Sequence, residues 1–139
     1  MSDLPEIPPI TPYLTVSDAD AAIAFYQRAF DAREIRRMAA EDGKRLLHPA
    51  LTLNGGTVML SDDFPEFNGG RRKAPDPDGE TGVTIHLNVS DVDAVASRAV
   101  AAGAKTLMAP ADMFWGERFA KLRDPFGHEW SLGGPVKGG

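Results

Sequence analysis

The sequence predicts an α+β domain built from two tandem βαβββ modules, their strands forming a curved mixed sheet around a cavity with the helices on the outside. Three observations carry the prediction. The phrase LTVSDADAA, beginning at Leu14, returns as LNVSDVDAV at Leu87, identical at six of nine positions and 73 residues further along a chain of 139. Each copy runs from alternating apolar residues into Ser-Asp and then into an Ala-rich stretch, the grammar of a half-buried strand feeding a capped helix. After each helix come three further β-prone runs. The last two are joined by a turn: Asn54-Gly55-Gly56 in the first half, Asp124-Pro125-Phe126-Gly127 in the second.

In chain order, Leu14 and Val16 form the apolar face of the first strand, and Ile23, Tyr26 and Phe30 recur at helical spacing and belong to the core. Strands follow around Ile35, in LLHPALTL and in TVMLSDD. The stretch FPEFNGGRRKAPDPDGETG, rich in Gly, Pro and charge, reads as a mobile linker or lid. In the second half Val83, Ile85, Leu87 and Val89 alternate with Thr84, His86 and Asn88, which is the period of a half-buried strand. Ser90 and Asp91 then supply cap oxygens, and Val92, Val95, Ala96, Ala99 and Val100 make a helical stripe that ends at Gly103. KTLM, RFAKLRD and EWSL complete the module. One domain thus covers 1–139, with module 1 at about 10–64, a linker at about 65–81 and module 2 at about 82–134.

Composition narrows the chemistry. With no cysteine, thiolate zinc sites, iron–sulfur clusters, disulfides and cysteine nucleophiles are excluded, so a metal would need His, Asp, Glu or water. A formal charge of −5 argues against nucleic acid as a partner, and the basic run Arg71-Arg72-Lys73 reads as a solvated loop. No apolar run approaches the roughly 20 residues that span a bilayer. The opening MSDLPEIPPITP lacks the pattern of a signal peptide, and a cytoplasmic protein without membrane contact is expected.

Paired βαβββ modules of this size resemble the vicinal oxygen chelate superfamily, which includes glyoxalase I, extradiol dioxygenases and bleomycin-resistance proteins. The stretch MFWGERFAKLRDPFGHEWSL, with Phe114-Trp115-Gly116 and Arg118 ahead of the DPFGHEW turn, is similar to the glyoxalase-like subfamily named after the phosphonate-operon protein PhnB, and HPALTLNGGTVMLSDD agrees with it. Metal-using relatives take one ligand from the first and last strands of each module. The resemblance places those positions at Thr11, Met59, Thr84 and Ser131, none of them a conventional ligand. The inherited metal site is therefore expected to be lost.

Strand parity leaves an alternative, because His86 shares a face with Thr84, and Glu129 with Ser131. A shifted divalent-metal site from His86, Glu129 and His48 would make the chain a metal-dependent lyase or dioxygenase. The leading expectation is a small-molecule-binding protein without a cofactor, a homodimer as the resemblance implies, with catalysis left open. Its cavity would be lined by Tyr13, Met59, Thr84, His86, Glu129 and Ser131. Trp115 and Phe119 could supply an aromatic wall, and Arg118 a cationic anchor for an anionic or planar ligand. A protein that only docks partners would need a dry interior, which so polar a set of strand residues argues against. Asp62 and Asp63, adjacent on a strand, face opposite ways and cannot work as an acid–base pair, and His128 is expected to shape its own turn through local backbone.

Overall fold

In the computed structural model, which describes residues 7–137, strand β1 (Tyr13–Val16) leads into helix α1 (Ala19–Phe30), β2 (Arg33–Arg36), β3 (Ala50–Leu53) and β4 (Gly56–Asp62). The pattern repeats as β5 (Thr84–Asn88), α2 (Val92–Ala102), β6 (Lys105–Asp112), β7 (Arg118–Arg123) and β8 (Glu129–Gly134). The first six residues of the segment read for a signal peptide lie outside the described residues. Each module forms a four-stranded sheet of the same topology, β1-β4-β3-β2 and β5-β8-β7-β6, in which the first and last strands pair in parallel and the other pairs are antiparallel. Leu14 pairs with Leu60, and Leu87 with Leu132. All four are buried, so the repeated phrase occupies equivalent places in the two modules.

The same Asp starts each helix. Asp18 accepts from the Ala21 N–H and Asp91 from the Ala94 N–H, both at 3.1 Å, satisfying amides that have no partner within the helix. Past its first residues α1 buries three aromatic side chains, and these face the second module. Tyr26 and Phe30 lie 5.3 and 4.8 Å from Trp130, and Phe25 lies 6.4 Å from Phe126. The two modules therefore share one continuous core.

At its centre is Asp124, only 2% exposed. Its Oδ2 accepts from the Tyr26 phenol and from Trp130 Nε1 (2.9 Å), and its Oδ1 from the backbone N–H groups of Phe126 (2.9 Å) and His128 (3.0 Å). His128 departs from its expected local role. Its Nε2 reaches the Thr15 carbonyl of β1 at 2.9 Å and ties the two modules together. Asn54, at the tip of the β3–β4 hairpin, does the same by donating to the Asn88 carbonyl at 2.8 Å.

Burial, and then the negative charge of Asp124, push the Tyr26 phenol well above its ordinary pKa. A group whose folded-state pKa is raised gives stability that is complete below its unfolded value, near 10, and is lost as pH climbs through the folded value. Denaturant titrations at pH 8 and pH 11 should therefore show a loss of stability at high pH that is smaller in Tyr26→Phe than in the parent. Equal losses would show that the phenol does not contribute.

The two adjacent aspartates that close β4 have separate tasks. Asp62 accepts from the amides of Ala19 and Leu46, both at 2.7 Å, locking the start of α1 to the loop before β3. Asp63 accepts from the amides of Lys73 and Ala74 at 3.0 and 2.9 Å, which pins the linker. Further along, the linker passes so close to Gly127 that a Cβ there would sit 2.9 Å from the Asp76 carbonyl oxygen. With φ at +92°, only glycine suits that position. Among the described residues no helix is long and apolar enough to cross a membrane.

Candidate functional site

The face of the second sheet turned away from the helices carries three cross-strand ladders, two of them polar throughout. Ala120, Leu122, Trp130 and Leu132 point into the core, so by strand alternation the residues between them point outward. Register then aligns Thr84 with Glu129 and Arg123, His86 with Ser131 and Lys121, and Asn88 with Gly133 and Phe119.

In the first ladder, the Thr84 hydroxyl donates to Glu129 Oε2, and the Lys121 ammonium stands 3.8 Å from the same oxygen. The Glu129 side chain is 18% exposed. In the second, His86 Nδ1 meets the Ser131 hydroxyl at 2.8 Å while Nε2 meets Asn88 Oδ1 at 3.1 Å. An amide oxygen only accepts, so this arrangement puts the imidazole proton on Nε2 and leaves Nδ1 to accept from Ser131. The ring stacks on Phe119 at 6.2 Å, and Phe119 in turn meets Trp115 edge-on at 5.7 Å. Trp115 is 48% exposed and donates from Nε1 to Glu117 Oε1 at 2.8 Å. Gly133 makes this crowding possible, since a Cβ there would fall 2.9 Å from His86 Cε1 and 2.8 Å from Glu117 Oε2.

The first module supplies the opposite wall. Tyr13 pairs with Met59 in register and hydrogen-bonds through its phenol oxygen to His48 Nδ1. His48 holds a left-handed backbone conformation (φ 54°) that is unusual for a side chain of its kind. Between the walls lies a groove of about 590 Å³, lined by Tyr13, Val83, Thr84, His86, His128 and Glu129 among others. A second cavity of about 430 Å³ continues past Tyr13 to Thr15, Ser61, Phe67 and Lys73.

Of the residues expected at the site, Tyr13, Thr84, His86 and Glu129 line the groove. Ser131 adjoins it through His86, Met59 through Tyr13, and Trp115 through Phe119. Arg118 does not belong to it. It has the parity of Ala120 and Leu122, and its guanidinium is held by both carboxylate oxygens of Asp93 (2.5 and 3.0 Å) and by Asp112 (3.2 Å). These bonds raise its pKa and lower that of Asp93, which fixes the first turn of α2 to β7. The expected cationic anchor is thus a structural clamp. The cations on the site face are Lys121 and Arg123, which the sequence reading passed over together with Glu117.

The register expected for metal ligands also needs correction. Thr84 stands opposite Glu129 and not Ser131, and Thr11 precedes β1. The positions equivalent under the repeat are Tyr13, Met59, His86 and Ser131. This donor set does not fit a divalent ion. Its one imidazole has both nitrogens engaged, and thioether, phenol and hydroxyl are poor partners for a hard or borderline cation. The alternative set of His86, Glu129 and His48 is not gathered into a site either. Among the described residues no three His, Asp or Glu side chains converge as a metal site.

Comparison with known proteins agrees with this architecture. The family model described as Glyoxalase/Bleomycin resistance protein/Dioxygenase superfamily matches residues 7–132. An uncharacterized protein of Mycobacterium tuberculosis is 52% identical over 130 residues, 94% of this chain and 76% of the relative. Among solved structures, TioX from a Micromonospora species superposes with a TM-score of 0.69 at 29% identity, covering 91% of this chain and 98% of TioX. A PhnB protein from Bacillus cereus superposes at 0.67 with 19% identity, covering 90% and 98%, and shows the shared fold alone.

Proposed function

The chain belongs to the glyoxalase/bleomycin resistance/dioxygenase superfamily, and from that premise we propose that it is a cytoplasmic small-molecule-binding protein of the PhnB-like branch, a homodimer working without the divalent metal of its metal-using relatives. The observation that carries this reading is the state of His86. Its imidazole lines the groove with Ser131 on one nitrogen and Asn88 on the other, so it presents a hydrogen-bonded surface with both ring nitrogens engaged. The subfamily placement is supported by the run from Met113 to Leu132. The groove's volume lies within the range of pockets that enclose drug-sized ligands, and it combines Val83, Ile85 and Leu14 with a few polar groups.

Elemental analysis of the purified protein, combined with thermal shifts in manganese, zinc and nickel, tests the reading. The expected result is no stoichiometric metal and an unchanged melting temperature after chelation. A metal-dependent lyase or dioxygenase would instead gain roughly 3 kcal/mol at about a hundredfold excess of metal over its dissociation constant. That gain would disappear in His86→Ala and in Glu129→Gln, and such a result would replace the metal-free reading. The molar mass in solution, from light scattering, checks the dimer separately.

A further inference from the structure

The side chains that line the groove have their protons committed inside the protein. Its polar lining is Tyr13, Thr81, Thr84, His86, His128 and Glu129, and the remainder is Pro, Gly and aliphatic. The Thr81 hydroxyl donates to the Val83 carbonyl at 3.0 Å, and the Thr84 hydroxyl donates to Glu129 Oε2. His128 Nε2 faces the Thr15 carbonyl, which only accepts, so Nε2 carries the proton and the other nitrogen of the neutral ring is an acceptor. His86 has both nitrogens engaged, by Ser131 and by Asn88. The Tyr13 oxygen meets His48 Nδ1 at 2.5 Å. A phenol is the better donor of that pair and an imidazole nitrogen the better acceptor, so the phenol proton lies toward His48 and a lone pair is left for the groove. Glu129, a carboxylate paired with Lys121, has no proton to give. No hydrogen bond to its Oε1 forms among the described residues, and that oxygen is open to solvent.

The wall therefore accepts hydrogen bonds and donates none from its side chains. Strands β1 and β5 are sheet edges, which offer amide and carbonyl alike, so the side chains decide the preference. Charge over the wider face does not decide it, because Lys121 and Arg123 balance Glu117 and Glu129, and neither cation lines the groove. We infer that the groove is a site for an organic cation, taking a protonated amine or amidinium on Glu129 with the attached apolar body along Leu14, Val83 and Ile85. The inference rests on the small-molecule reading given above and names the ligand class for it. An ammonium brings donors and no lone pair, which complements such a wall, and its bond to a carboxylate is charge-assisted. A carboxylate or phosphate would set lone pairs against lone pairs. The chain's formal charge of −5 adds a long-range attraction of the same sense.

One alkyl chain with three head groups separates this inference from the reading beneath it. N-phenyl-1-naphthylamine, a neutral fluorescent probe, reports the groove, and octylammonium, octanol and octanoate compete for it at neutral pH. Octylammonium should displace the probe at concentrations at least roughly tenfold lower than octanol, with octanoate the weakest of the three. Glu129→Gln should reduce that ratio to less than about threefold. Tyr13→Phe removes one acceptor and should lower the ratio in part. Lys121→Met removes the cation 3.8 Å from Glu129 and should raise it. Equal displacement of the probe from the parent by octylammonium and octanol overturns the cation site and leaves the groove standing. So does octanoate as the strongest competitor, or a ratio that survives in Glu129→Gln. Should Glu129→Gln fail to fold, a ratio unmoved in both Tyr13→Phe and Lys121→Met overturns it equally. If the parent does not bind the probe at all, the groove reading fails as well.

Discussion

Replacing Asp124 with alanine is expected to remove about 4 kcal/mol of stability and lower the melting temperature by more than about 10 °C. The carboxylate accepts four hydrogen bonds, from the Tyr26 phenol, the Trp130 indole, and the amides of Phe126 and His128. Bonds to a charged acceptor are worth about 1.5–3 kcal/mol each, and stranding buried donors adds their desolvation cost, though the terms overlap and do not sum. The loss also spreads. Two of the donors set the turn that aims β8, and the other two are aromatic rings through which the first helix packs on the second module. Asp124→Asn keeps the shape and one acceptor but presents an amide N–H to donors, so it should lose about half as much. Denaturant unfolding of both variants settles the matter. A midpoint within about 2 °C of the parent for Asp124→Ala would mean that water replaces the carboxylate and that the network is not a keystone.

That network shows where sequence reading stops. Strands, helices and caps were legible because their signals are local: a period of two before Ser-Asp, a helical stripe after it, and an Asp in each copy that caps its helix. Asp124 was legible only as a turn residue. Its second role depends on Tyr26, 98 residues earlier in the chain, and no local pattern announces such a partner. The pairing of Thr84 with Glu129 has the same origin, since parallel strands 45 residues apart take their register from packing and not from a turn. Arg118 is a different case. Its parity with Ala120 and Leu122 was present in the sequence and placed it on the core face, while Lys121 and Arg123 shared the face of Phe119. Closeness to Trp115 along the chain suggested the wrong cation, and a step of one residue along a strand reverses the face.

Two neighbouring glycines should behave in opposite ways when replaced. At Gly134 a Cβ would sit 2.2 Å from the Val89 carbonyl oxygen. That oxygen is backbone at the end of β5, and the Val89 amide is bonded to the Gly133 carbonyl at 2.8 Å, so neither strand can retreat without opening the parallel ladder. Gly134→Ala should therefore destabilise the fold by about 2 kcal/mol or more. Gly133 lies on the polar face of the second sheet, beside His86. A Cβ there would meet side chains only, Glu117 Oε2 at 2.8 Å and His86 Cε1 at 2.9 Å. Glu117 can swing aside, but the His86 ring is fixed by Ser131, Asn88 and Phe119. An alanine can be absorbed by moving Glu117. A valine must push the imidazole off Phe119 and out of its bond to Ser131, filling the space where a ligand would lie against the ring. Gly133→Val should thus keep a cooperative unfolding transition while losing at least tenfold in affinity for N-phenyl-1-naphthylamine, about 1.4 kcal/mol of binding. Both quantities are read from one preparation, by denaturation and by fluorescence titration. If Gly133→Val binds the probe as well as the parent does, the polar face of the second sheet is not the binding wall, and the ligand must be sought past Tyr13, in the cavity toward Lys73.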